Sequence, residues 1–194
     1  MKATIIAGAV AGLFSLAAMA QTTGSEVQRD VNQQQRIEQG LQNGSLTTKE
    51  ASKLERGEAR IDKMESNAEK NGKLSPEEKA RIQRAQNQES RDINRAENNS
   101  ARGNPNSASS QRMQADVQRN INQQQRIEQG VKSGQLTNRE AGKLENGQAR
   151  VDRDEARAGA NGHVSAKEQQ GIQKAENQQS KHIYKQKHDK QTRR

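Results

Sequence analysis

The sequence predicts an all-α protein, two tandem copies of a three-helix unit joined by a flexible linker, and three observations carry that prediction. First, Glu, Lys, Arg, Gln and Ala dominate the 194 residues, and all are strong helix formers. Second, the seven-residue phrase Gly-x-[Leu/Val]-[Ser/Thr]-x-x-Glu occurs four times, from Gly44 to Glu50, Gly72 to Glu78, Gly134 to Glu140 and Gly162 to Glu168. Glycine suits the left-handed position just past a helix end. Ser or Thr followed three residues later by Glu is a capping box that starts the next helix. Third, Val27 to Ile93 aligns without a gap on Val117 to Ile183, and 37 of the 67 positions are identical. An internal repeat of that length outweighs any local pattern as a guide to architecture.

Each element can be justified in order. Met1-Lys2, the apolar run Ile5 to Leu16 and Ala18-Met19-Ala20 have the layout of a secretory leader cleaved after Ala20. The chain is therefore expected to be a bacterial exported protein, periplasmic or secreted, with 1–20 as signal peptide. The run is too short and too rich in Ala and Gly to anchor in a bilayer. Repeat one occupies 21–98, a Pro-, Gly-, Ser- and Asn-containing linker 99–112, repeat two 113–187 and a basic tail 188–194. Within repeat one, helices are expected over about 25–41, 48–69 and 76–97. The first places Val27, Val31, Ile37 and Leu41 on one arc, interrupted by Gln34 and Glu38. The second spaces Leu54, Ile61, Met64 and Ala68 as a heptad would. The third carries Ile82, Ala85, Ile93 and Ala96, with Pro76 directly after the cap Ser75, where proline is tolerated.

After residue 20 only 22 of 174 residues are Ile, Leu, Val, Met or Phe, so the apolar seams are thin and the stability modest. No cysteine is present to staple them. Pairing of the two copies, or a homodimer, would add buried surface. Gly171, at the position of Arg81 in repeat one, weakens the last helix of repeat two.

The chemistry-bearing patterns are sparse. There is no Gly-x-Ser-x-Gly elbow, no His-Glu-x-x-His and no phosphate-binding glycine loop, so the chain is not expected to be an enzyme. Its many carboxylates alternate with Lys and Arg, as they would on a salt-bridged, solvent-facing helix surface. The net charge of +9 is concentrated near the C-terminus, at Lys181, Lys185, Lys187, Lys190, Arg193 and Arg194. Those six are candidates for holding an anionic envelope surface or an acidic protein. Nucleic acid is the lesser expectation, because Tyr184 alone could stack on a base.

Laid on twelve positions, the segment Asn67 to Glu78 has oxygen donors at one, three and five (Asn67, Glu69, Asn71). Gly72 falls at six, the Lys73 carbonyl at seven, Leu74 at eight, Ser75 at nine and Glu78 at twelve. That layout resembles a degenerate EF-hand loop, and the resemblance implies a weak Ca²⁺ site built from Asn67, Glu69, Asn71, Lys73, Ser75 and Glu78. The other three phrases lack ligands, with Leu41, Val131 and Gly159 at position three and Arg157 at position one of the last. The function expected is an exported, non-enzymatic binding module with a basic tail, or alternatively a weak divalent-cation binder working through these loops.

Overall fold

A computed structural model describes residues 23–191, and within them every regular element is helical. Six long helices follow one another: α1 (Thr23–Asn43), α2 (Thr48–Ala68), α3 (Pro76–Glu97), α4 (Ala108–Lys132), α5 (Asn138–Ala158) and α6 (Ala166–Lys187). A short 3₁₀ turn follows α2 at Glu69–Asn71 and another follows α5 at Gly159–Asn161. The proposed leader, residues 1–20, lies outside the described residues. None of the described helices is long and apolar enough to cross a membrane.

The four repeated phrases set the helix boundaries. Gly44, Gly72, Gly134 and Gly162 all have φ between 76° and 87°, the left-handed region that stops a helix without a Cβ clash. Thr47, Ser75, Thr137 and Ser165 each accept a hydrogen bond from the backbone N–H three residues on. Glu50, Glu78, Glu140 and Glu168 reciprocate, completing four capping boxes. Two of the turns are also bolted from inside. Leu46 N–H donates to the Gly40 carbonyl at 2.8 Å and Leu136 N–H to Gly130 at 2.9 Å, folding each leucine back over the preceding helix.

The helices do not form two separate bundles. The closest packing joins α2 to α5 and α1 to α4. Both pairs run antiparallel. Gly142 of α5 faces Ser66 and Glu69 at the end of α2, while Gly159 faces Thr48 and Ser52 at its start. Likewise Lys132 Nζ donates to Gln28 at one end of the α1–α4 pair, and Gln114 donates to the Leu41 carbonyl at the other. α3 lies against α1 and α2, and α6 against α4 and α5.

The segment expected to be a flexible linker is tied down. Gly103 N–H donates to the Gly44 carbonyl at 2.9 Å, Asn99 donates to Glu50 at 2.7 Å, and α4 starts within the stretch, at Ala108, capped by Ser107. The reason is local: only a glycine lets the backbone at 103 lie against Leu46, whose carbonyl would sit 2.2 Å from any added Cβ.

The apolar core is split. One cluster gathers Ile37, Leu41, Leu46, Leu54, Met113, Val117 and Ile121, where the end of α1 meets the start of α4. A second gathers Val27, Ile127, Val131, Leu136, Leu144 and Ile183, at the opposite end of the same pair. Between these two apolar ends the buried positions of α1 and α4 are, apart from Val31, the polar residues Asp30, Gln33, Gln34, Asn120, Gln123 and Gln124. The middle of the molecule is polar.

Candidate metal centre

That polar middle is built on the α2–α5 seam. On α2 the buried acids are Glu55, Glu58, Asp62, Glu65 and, in the following turn, Glu69. Their spacing of three, four, three and four residues is the one that keeps side chains on a single face of a helix. On α5 the same register carries Glu145, Gln148, Asp152 and Glu155. Glu26 and Asp30 join from α1, Glu89 from α3, Asp116 from α4, Glu140 from the first turn of α5 and Glu176 from α6. Fourteen carboxylates are thus buried among the described residues, and no Lys or Arg is buried with them. This corrects the expectation of a salt-bridged outer face: the basic residues stay outside, while a large share of the acids turns inward. The α2 spacing was the available signal, masked because Leu54, Ile61 and Ala68 repeat in the neighbouring register.

Side-chain amides donate to the acids of the α2–α5 seam, and the Arg119 guanidinium meets Glu176 at 3.1 Å. Gln86 Nε2 donates to Asp30 at 2.9 Å and to Glu65 at 3.1 Å. Asn120 Nδ2 donates to Asp152 at 3.0 Å and to both Glu155 oxygens at 2.9 Å. Gln34 donates to Glu55 at 2.9 Å, and Gln124 to Glu145 at 3.2 Å. These contacts fix which way each amide points, so its oxygen faces elsewhere. The amide oxygens of Gln34, Gln86, Asn120 and Gln124 accept nothing, nor do Asp30 Oδ2, Asp62 Oδ2, Glu65 Oε2 and Glu55 Oε1. Glu58 is 1% exposed and neither of its oxygens has a hydrogen-bond partner; Gln148 is 0% exposed and neither end of its amide has one. Acceptors outnumber donors among these unpartnered atoms.

The electrostatics follow. Removal from water, which penalises the charged form, pushes Glu26, Glu89 and Glu176 up to about 8, with nearby acids adding to the effect in each case. The same burial pushes Asp30, Glu55 and Asp116 up to about 7, against the opposing help of amide hydrogen bonds. Glu58, Asp62, Glu65, Glu145, Asp152 and Glu155 are held well above the ordinary carboxylate range, by burial first and by one another's charge second. Within this core two trios stand out, Asp30–Asp62–Glu65 and Glu55–Asp152–Glu155. In each, one oxygen from every member lies within 4.8 Å of the others. A donor set of carboxylates and amide oxygens, with His163, His182 and His188 all exposed and no cysteine, suits hard cations.

The six residues of the EF-hand-like segment are used differently. Ser75 and Glu78 close the α3 capping box, and Asn71 Oδ1 accepts from Lys73 N–H at 2.9 Å. Asn67 and Lys73 are exposed, whereas Glu69 is buried against Gly142 of α5. Backbone N–H groups of the turn thus take one oxygen each of Asn71, Ser75 and Glu78. Of the basic candidates, Lys181, Lys185 and Lys190 are exposed, and Lys187 packs its stem over Gly130. Arg193 and Arg194 lie outside the described residues. Comparison of the chain with protein families, with curated proteins and with solved structures returns no match.

Proposed function

We propose that this chain is an exported, non-enzymatic, duplicated helical protein that binds hard metal cations in a buried carboxylate core. One observation carries the reading: fourteen acids are buried together without a single buried Lys or Arg among the described residues. Buried charge in proteins is paired, neutralised by a proton or coordinated to metal; Arg119 pairs with Glu176 at 3.1 Å from a half-exposed position, and among the described residues no buried Lys or Arg serves the acids of the α2–α5 seam. Duplication is supported by the sequence repeat and by helices that recur at the same ninety-residue offset, α2 with α5 above all. Export is supported by the leader-like start from Met1 to Ala20. The EF-hand-like turns serve this reading as helix joints that hold the α2–α5 register.

The test is thermal unfolding and isothermal titration of the chelator-treated protein with Ca²⁺, Mn²⁺ and Mg²⁺ at neutral pH. We expect saturable heat and, at a hundredfold excess over the dissociation constant, stabilisation of about 2.7 kcal/mol. No heat and no rise in Tm with any of the three ions would overturn the proposal.

A further inference from the structure

We infer that the core takes two cations at two unequal stations, a tight one at Asp30, Asp62 and Glu65 and a weaker one at Glu55, Asp152 and Glu155. The inference rests on the cation-binding reading and adds the number, places and order of filling.

Size is the first argument. Oxygens on opposite sides of a Ca²⁺ ion, at 2.3–2.6 Å each, are about 5 Å apart. Oxygens within 4.8 Å of one another can therefore share one ion with little movement of the helices.

The inequality comes from a single exchange between matching positions. Ninety residues on from Asp30 stands Asn120. At the second station the Asn120 amide donates to both oxygens of Glu155 and one of Asp152, so only Glu55 keeps a buried oxygen without a donor. Each station has three carboxylates, but at the first Asp30, Asp62 and Glu65 each keep one such oxygen. A ligand oxygen that need not give up a hydrogen bond binds a hard cation at lower cost. Glu58, 1% exposed with both oxygens unpartnered, belongs to neither trio.

Calorimetric titration of the full mature chain with Ca²⁺, repeated with Mn²⁺, tests this. The wild type should bind two ions in two steps separated at least tenfold in affinity. Asp30→Asn, which installs the residue the chain itself uses at 120, should remove the tight step and leave the weak one. Glu155→Gln should do the reverse. Circular dichroism of each variant verifies that the helices persist; if Asp30→Asn fails to fold, Asn120→Asp, which should tighten the second step, carries the test. One ion per chain, two indistinguishable steps, or loss of the same step in Asp30→Asn and Glu155→Gln would overturn the two-station inference while leaving cation binding in place. A core that takes up no ion in any variant would instead overturn the parent reading.

Discussion

Glu58 shows what a single side chain can cost and supply. A buried acceptor with no donor carries its desolvation penalty unrelieved, about 1–3 kcal/mol. Replacing Glu58 by Gln removes the charge at nearly constant shape. Without added metal, at pH 8, we expect Glu58→Gln to be more stable than the wild type by about 1–3 kcal/mol, as read from chemical denaturation monitored by circular dichroism. A loss of stability would mean that Glu58 has a partner within the fold. Such residues were hard to read from the chain. Glu, Asp and Gln on a helix face water far more often than one another, and nothing local distinguishes Glu58, which is buried, from Glu77, which is exposed. What separates them is the partner helix, and the α2–α5 contact spans about ninety residues of sequence.

Helices, by contrast, were legible almost to the residue. The expected helices 48–69 and 76–97 match α2 and α3 closely, because a Gly and a capping box mark each boundary chemically. The signal was weaker where no such phrase occurs. α1 extends two residues past each expected end, and α4 begins at Ala108 inside a stretch whose Gly and Pro read as linker. The interior glycines Gly40 and Gly130 carried a message too. Each is the floor on which a leucine of the following turn rests, and a Cβ at Gly40 would stand 2.5 Å from Leu46 Cγ and Cδ1. Gly40→Ala should therefore destabilise the protein by about 1–3 kcal/mol through overpacking, although Ala is the better helix former. Equal or greater stability on thermal unfolding would show that Leu46 repacks freely.

At the scale of the whole molecule the buried acids make stability a function of pH. Folded values near 7 for Asp30, Glu55 and Asp116, and near 8 for Glu26, Glu89 and Glu176, exceed the ordinary values near 4 of the unfolded chain. Between about pH 4 and 8 the folded state thus binds more protons than the unfolded one, and the stability these groups allow is lost as pH rises through that window. Chelator-treated protein should have its highest Tm near the acid end and lose stability steadily toward pH 8, with saturating Ca²⁺ flattening the slope. A Tm that rises with pH in chelator would contradict the burial of these groups. The placement of the one tyrosine has a consequence of another kind. Tyr184 is 61% exposed and stacks on His188, with ring centroids 4.1 Å apart, and after residue 20 the sequence holds no tryptophan or phenylalanine. Among the described residues no near-ultraviolet chromophore lies in the interior, so their near-ultraviolet absorption and intrinsic fluorescence report only the last turn of α6. To light at those wavelengths, the folding of the core is invisible.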